Sequence, residues 1–241
     1  MNGGSTNETE SHRALSAVER RIADACLACG RDPGSVRLLA VSKTFGAERV
    51  LEMAACGQLA FGENYVSEAL AKIESCSKDW TGPRLEWHFI GPVQSNKTRP
   101  IAGHFDWVHS VDREKIGRRL SDARAELATS ETAPLNVCIE VNVSDEPTKH
   151  GCAISEVPAL ADTLAALPML RLRGLMAIPA PTEDMSAQRA SFEKLRHCQE
   201  ALVERGHSLD TLSMGMSADL EAAIAEGATI VRVGTALFGK R

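Results

Sequence analysis

Two short stretches near the C-terminus place glycine beside hydroxyl side chains. Leu212-Ser213-Met214-Gly215-Met216-Ser217 ends one β-type run, and Val231-Arg232-Val233-Gly234-Thr235 ends the next. Glycine lets the backbone approach a ligand closely, and consecutive N–H groups with nearby hydroxyls before a helix suit a phosphate dianion. Residues 218–227 read as such a helix, acidic at its start and stopped by Gly227. The two stretches therefore predict a phosphate cradle.

A lysine near the other end of the chain could act as a nucleophile. Lys43 directly follows the apolar run 36–42. Partial burial lowers the pKa of an amine, and a neutral amine forms Schiff bases with carbonyl compounds. The position alone also fits a solvated lysine with no chemical role.

Arg232 and His88 are polar residues within apolar runs. Because side chains alternate along a strand, Val231 and Val233 should face outward and Arg232 inward. A buried charge needs a partner, which could be an inward acid such as Glu140 or Glu63, or a ligand. His88 alone is more typical of a hydrogen-bonded core histidine, and no metal site is predicted.

A Schiff-base lysine and a phosphate cradle in one site suit two ligand classes. One is a sugar phosphate in an aldolase, and the other is pyridoxal 5′-phosphate, which carries an aldehyde and a phosphate on one ring. An arginine that donates to the pyridine nitrogen stays charged and keeps that nitrogen unprotonated. Arg232 would therefore disfavour carbanion chemistry.

Eight short β-type runs alternate with helical patterns, which predicts a parallel sheet. The predicted strands cover residues 36–42, 59–62, 85–91, 107–110, 136–143, 172–179, 211–214 and 230–234. This number of units in 241 residues indicates a (β/α)8 TIM-type barrel in a single domain, 11–241, after a disordered tail, 1–10. Barrels bind phosphate after strands 7 and 8, where the two stretches fall. A doubly wound open sheet is the alternative, although no G-x-G-x-x-G follows the first strand.

Composition is that of a globular protein, with 44% hydrophobic and 24% charged residues. The net charge of −5 argues against nucleic acid as a partner. Seven cysteines without a disulfide spacing predict a reducing compartment, and the pair Cys26 and Cys29 in a helical pattern favours core packing. The polar N-terminus and the lack of long apolar runs predict a cytoplasmic protein without membrane contact.

Longer motifs resemble the pyridoxal phosphate homeostasis protein family, a single-domain relative of the alanine racemase N-terminal barrel. The resemblance runs from about residue 12 to the end and is carried by Val41-Ser42-Lys43-Thr44, Phe61-Gly62-Glu63-Asn64-Tyr65, Trp87-His88-Phe89-Ile90-Gly91-Pro92-Val93-Gln94-Ser95-Asn96-Lys97, Gly174-Leu175-Met176-Ala177-Ile178-Pro179, Leu212 to Asp219 and Val231 to Gly239.

The resemblance implies a barrel that holds pyridoxal phosphate as an aldimine on Lys43. It implies a pyridine-nitrogen contact from Arg232 and places Asn64, His88 and Met176 near the cofactor. The implied phosphate contacts are Ser213, Gly215, Met216, Ser217, Gly234 and Thr235. Members of the family resemble cofactor carriers or buffers, which implies transient contact with pyridoxal-phosphate-dependent apo-enzymes.

The expected function is therefore storage or delivery of the cofactor without substrate turnover. An alanine racemase needs two opposed acid–base groups, one of them a tyrosine from a second domain. We expect no such domain after the eighth strand, and Tyr65 is the only tyrosine. The alternatives are a pyridoxal-phosphate-dependent amino-acid racemase or lyase and, by fold analogy, a Schiff-base aldolase.

Overall fold

Eight parallel strands close into a barrel in which each strand pairs with the next and β8 pairs with β1. The computed structural model describes residues 4–144 and 150–239, with side chains from residue 10 onward. The strands are β1 (Arg37–Val41), β2 (Ala60–Glu63), β3 (Glu86–Phe89), β4 (Trp107–Val111), β5 (Leu135–Glu140), β6 (Leu170–Met176), β7 (Thr211–Ser213) and β8 (Ile230–Val233). The predicted barrel is confirmed.

A helix follows every strand, as parallel strands require a crossover. The helices of the described ranges are α1 (Gly4–Ala28), α2 (Ala47–Ala55), α3 (Val66–Asp79), α4 (Thr98–His104), α5 (Glu114–Glu126), α6 (Val157–Ala165), α7 (Met185–Glu204), α8 (Leu220–Ala225) and α9 (Thr235–Phe238). Helix α1 precedes β1 and packs against α8 and α9. No helix in the described part of the chain is both long and apolar enough to cross a membrane.

The core has two parts because the strands present alternate residues to opposite faces. Outward-facing residues such as Leu38, Val231 and Val233 pack with the helices in one large apolar cluster. Inside the barrel, a small cluster contains Leu39, Ala60, Ile90 and Ile230. The interior also holds buried polar side chains, among them those of His88, His109, Ser213 and Arg232.

The N-terminal helix is longer than the sequence predicts. Helix α1 begins at Gly4, so residues 4–10, assigned to a disordered tail, are helical, and residues 1–3 lie outside the described residues. Once a helix is nucleated, each added residue gains a hydrogen bond at little further cost. The domain assignment of 11–241 stays a prediction.

Two helix boundaries also differ from the prediction. Ser155 was expected to cap a helix, but it lies within a 3-10 turn, Ile154–Glu156, that precedes α6. A short helical piece was expected at 93–98, whereas α4 runs to His104. Pro100 is tolerated there because the first helical turn has no acceptor for the missing N–H.

Candidate functional site

Lys43 lies two residues beyond the end of β1, half-buried at the C-terminal mouth of the barrel. The next residue, Thr44, has a φ of 69°, a left-handed conformation that is costly for a β-branched side chain. The Thr44 N–H donates to Oε1 of Glu68 in α3 at 2.5 Å. Strained backbone persists where its surroundings over-determine it, and this is common at functional sites.

A buried ion pair supports this turn from below. Nζ of Lys72 donates to Oε1 of Glu63 at 2.5 Å and to the Ser42 carbonyl at 2.7 Å. The Ser42 hydroxyl donates to the same Glu63 oxygen at 2.6 Å. Burial raises the pKa of Glu63 although Lys72 opposes that shift. The residue before Lys43 is therefore fixed by groups from β2 and α3.

The lysine turn adjoins the end of β8. Ala40 pairs with Val233, so Lys43 and Thr235 extend from neighbouring strand ends. The Phe45 ring stacks on Phe238 of α9 with 5.1 Å between centroids. At Gly234 a Cβ atom would lie 3.1 Å from the Val41 carbonyl oxygen, so only glycine fits without a shift of its neighbour. The lysine and the second glycine stretch thus occupy one side of the mouth.

The first glycine stretch continues β7 and passes closely over α8. Gly215 has a φ of 92°, and a Cβ there would lie 2.5 Å from the Ala223 side chain. The Met216 N–H donates to Oδ1 of Asp219 at 2.5 Å, while Ser217 is half-buried. The predicted anion donor at Met216 is therefore paired with a carboxylate of its own loop.

Arg21 of helix α1 forms hydrogen bonds, from outside the barrel, with the loop that contains Ser217 and with α8. Arg21 forms two hydrogen bonds with the Glu221 carboxylate and donates from Nη1 to the Ser217 carbonyl at 2.8 Å. Bidentate arginine–carboxylate pairs hold a fixed geometry. The first helix of the chain therefore fixes the loop that continues its seventh strand.

Arg232 is buried and points into the barrel, as the alternation predicts. Its Nη1 donates to the Ser213 carbonyl at 2.6 Å and to the Ser213 hydroxyl at 2.8 Å, and its Nη2 donates to the Ala177 carbonyl at 2.9 Å. Burial lowers its pKa to about 10, against the raising effects of Asp219 and Glu140. The expected alternative, a hydrogen-bonded ion pair with Glu140 or Glu63, is not formed in the described structure.

Ser213 and His88 lie below the mouth, in the interior. The Ser213 hydroxyl bonds with Nδ1 of His109 at 2.7 Å as well as with Arg232. Nδ1 of His88 bonds with Nε2 of His109 at 2.8 Å. Ser213 thus supports Arg232 from beneath the cradle, and a phosphate contact by its hydroxyl stays a prediction. His88 has the bonding of a core histidine.

Asn64 and Met176 follow or end strands at the mouth. Oδ1 of Asn64 is buried and has no hydrogen-bond partner among the described residues. Gly91 packs so closely that a Cβ there would lie 2.2 Å from the Asn64 carbonyl oxygen, which fixes the backbone at this point. Met176 is fully buried beside Trp107 and Cys138.

The structure brings the predicted residues to one end of the barrel but at two depths. Lys43, Asn64, Met216, Ser217, Gly234 and Thr235 lie at the mouth, whereas Ser213, His88, Met176 and Arg232 are buried beneath it, with Gly215 between them. Sequence reasoning missed Lys72, His109 and Arg21. For His109, the alternation along the fourth strand was the available signal, since it faces inward with Trp107.

Comparison with known proteins identifies the family. A sequence model described as "Alanine racemase, N-terminal domain" matches residues 14–241. The pyridoxal phosphate homeostasis protein of Pseudomonas aeruginosa is 57% identical over 94% of both chains. Its Escherichia coli counterpart is 49% identical over 94% of this chain and 95% of its own. The chain belongs to the pyridoxal phosphate homeostasis protein family.

Solved structures agree with this family assignment. PipY from Synechococcus elongatus, solved with pyridoxal phosphate bound, is 38% identical, with a TM-score of 0.77 over 90% of this chain and 100% of its own. Alanine racemase from Corynebacterium glutamicum is 16% identical, with a TM-score of 0.67 over 95% of this chain and 62% of that enzyme. The racemase likeness shows the shared barrel alone.

Proposed function

We propose that this protein binds pyridoxal 5′-phosphate through a Schiff base on Lys43 and stores or delivers the cofactor within the cell. The observation that carries the proposal is the convergence of Lys43, the two glycine stretches and Arg232 at the ends of β1, β7 and β8, which are consecutive around the barrel. When bound, the cofactor supplies an aldehyde for the amine and a dianionic phosphate. Its binding by a relative of similar length supports the assignment.

The donors of the site fit this molecule. Lys43 supplies the amine that condenses with the aldehyde, with loss of water. The hydroxyls of Ser217 and Thr235 and the close backbone at Gly215 and Gly234 offer an anion small, directional donors. Buried Oδ1 of Asn64, which lacks a partner in the described structure, gives a ring hydroxyl an acceptor.

Arg232 defines how the bound cofactor would behave. Its guanidinium keeps a positive charge because burial lowers its pKa only to about 10. A charged donor beside the pyridine nitrogen opposes protonation of that nitrogen and weakens the ring as an electron sink. This property suits a carrier better than an enzyme that forms carbanions. The relatives' names, which describe homeostasis rather than a reaction, support the same conclusion.

The visible absorption spectrum tests the covalent link. The loaded wild-type protein should show a visible band that is absent in Lys43→Ala, and borohydride followed by peptide mapping should fix the label on Lys43. Lys78→Ala, which removes an exposed lysine paired with Glu74, is the matched control and should keep the band. A protein that takes up no added cofactor would refute the assignment.

Delivery and turnover need separate experiments. Loaded protein should reactivate a pyridoxal-phosphate-dependent apo-enzyme in the presence of a scavenger that removes free cofactor, and transfer no faster than free diffusion would contradict the carrier role. Deuterium exchange at the α-carbon of a panel of amino acids should be absent. Exchange with any of them would favour a racemase or lyase.

A further inference from the structure

A continuous hydrogen-bonded chain crosses the interior of the barrel from one end to the other. It begins where Arg37 binds the Glu86 carboxylate through two hydrogen bonds of 2.9 and 3.0 Å. Oε1 of Glu86 bonds with Nε2 of His88 at 2.6 Å, and the chain continues through His109 to Ser213. It ends at Arg232, the arginine proposed to contact the cofactor.

The chemistry of its first member gives the chain a direction. Burial opposes ionisation of Glu86, but hydrogen bonds from His88 and Arg37 outweigh it and lower the pKa of Glu86 to about 2. A carboxylate only accepts hydrogen bonds, so His88 must carry its proton on Nε2. With His88 neutral, its Nδ1 accepts from Nε2–H of His109. Nδ1 of His109 then accepts from the Ser213 hydroxyl.

The surroundings keep both imidazoles neutral. Both rings are fully buried, and burial lowers the pKa of His88 and lowers that of His109 well below its ordinary value. Glu86 opposes the shift at His88, whereas the positive charge of Arg37 lowers the pKa of both imidazoles and that of Arg232 lowers the pKa of His109. The His88 ring also stacks on Trp107 with 5.3 Å between centroids. A nearby cation further disfavours a charge on the imidazole.

The direction of the chain determines what Ser213 does. Since its hydroxyl hydrogen is committed to His109, its oxygen faces Arg232 as an acceptor, at 2.8 Å from Nη1. We propose that His88 and His109 are positioning residues that, through Ser213, hold the Arg232 guanidinium in the orientation that binds the pyridine nitrogen. This inference rests on the proposed function and extends it to residues buried beneath the mouth of the barrel.

The first test determines the protonation and tautomer of the two histidines in the hydrogen-bonded chain, without added cofactor. In protein labelled with ¹⁵N-histidine, His88 and His109 should be neutral and carry Nε2–H throughout pH 6 to 8, with assignments from the single His→Gln variants. An Nδ1–H tautomer at His109, or protonation of either ring within that range, would overturn the proposal.

The second test measures the effect on the cofactor. His109→Leu removes both hydrogen bonds, and Ser213→Ala removes only the hydroxyl. Each should raise the dissociation constant for pyridoxal phosphate about tenfold, as for loss of one hydrogen bond to a charged group, and shift the visible band. His109→Gln keeps a donor and an acceptor and should bind nearly as wild type. His104→Leu, at an exposed histidine bonded to Pro100, is the control.

A double variant separates positioning from general destabilisation. If the chain acts as one unit, Ser213→Ala with His109→Leu should bind no more weakly than either single variant. Additive losses, or a Ser213→Ala protein that binds as wild type, would overturn the inference while leaving the proposed function intact. A wild-type protein that binds no cofactor would overturn both. If His109→Leu does not fold, Ser213→Ala and the NMR experiment still decide.

Discussion

Two buried cations, Lys72 and Arg232, lie beside the candidate site, and their hydrogen-bond partners differ in charge. Lys72 forms an ion pair with Glu63 at 2.5 Å, and both side chains are almost wholly inaccessible to solvent. Arg232 is equally buried, but its hydrogen-bond acceptors in the described structure are two carbonyls and the hydroxyl of Ser213. Lys72 forms a hydrogen-bonded ion pair with a carboxylate, whereas Arg232 is hydrogen-bonded to neutral acceptors in the described structure, and Asp219 and Glu140 act on it only through their charges.

The difference separates a structural charge from a functional one. A cation already paired with a carboxylate has little electrostatic attraction left for a ligand. A cation solvated by neutral oxygens stays buried at lower cost than a bare charge and keeps its field. We infer that the Lys72–Glu63 pair stabilises the turn that carries Lys43, whereas Arg232 acts on the ligand.

The largest effect is expected from breaking the ion pair. Glu63→Gln leaves Lys72 with Glu68, 3.1 Å away and partly exposed, as its remaining carboxylate partner in the described structure. The free energy of unfolding should fall by about 3–4 kcal/mol, the lower part of the range for a broken buried ion pair. The double variant Glu63→Gln with Lys72→Met should recover much of this loss. Urea unfolding of the three proteins measures it, and a single variant as stable as wild type would contradict a structural role for the pair.

A pH series tests whether Glu140 neutralises Arg232. Burial and, to a smaller extent, the charge of Asp112 raise the pKa of Glu140 from 4.5 to about 7, while the charge of Arg232 lowers it. The folded protein therefore holds this proton to higher pH than the unfolded chain, so stability should fall between pH 4.5 and 7. The loss should be about 3 kcal/mol and absent in Glu140→Gln, measured by unfolding at each pH without cofactor. If Arg232 kept Glu140 ionised as its counter-ion, wild type and Glu140→Gln would show the same dependence of stability on pH between pH 4.5 and 7.

Removal of the arginine charge should affect binding more than folding. Arg232→Gln leaves unsatisfied neutral acceptors but no stranded charge, so unfolding should cost about 1–3 kcal/mol less than in wild type. Cofactor affinity should fall more than tenfold, and the visible band should move. Titration and urea unfolding of the same samples measure both. A stability loss equal to that of Glu63→Gln would erase the proposed difference between the two cations.

The smallest effect concerns the strained residue beside Lys43. Thr44→Gly should relieve the left-handed backbone and raise stability by about 0.5–1 kcal/mol after the added flexibility of the unfolded chain is subtracted. Thr44→Ala keeps the Cβ atom and serves as the matched control. Thermal unfolding compares them. A destabilised Thr44→Gly protein would show that contacts of the threonine side chain outweigh the strain.

The fold and the inward orientation of Arg232 could be predicted from the sequence because both depend on local patterns. Alternating strands and helices predicted the barrel, and the alternation around Arg232 predicted that it faces inward. The partners of Arg232 were not predictable in the same way. Ser213 was predicted as a phosphate contact together with its glycine-rich neighbours, and that contact stays a prediction. Its hydrogen bonds with His109 and Arg232 could not be predicted from the sequence.

Long-range partners explain what the sequence left undetermined. Arg21 meets Ser217, 196 positions away, and His109 meets Ser213, 104 positions away. No spacing rule links such residues, because their proximity depends on closure of the barrel. Ser155 is not a helix N-cap for a local reason, since it lies within the 3-10 turn Ile154–Glu156 that precedes α6, and Pro158, three residues later, has no N–H for its hydroxyl to accept.

The pairing of β1 with β8 has a consequence for synthesis of the protein. Lys43 emerges from the ribosome about 190 positions before Gly234 and before Phe238, whose ring stacks on Phe45. Barrel closure joins segments about 190 positions apart, which makes it a late and entropically costly step. A nascent chain that has not yet formed β8 therefore presents Lys43 without the second glycine stretch, and it should lack the proposed cofactor site until β8 pairs with β1.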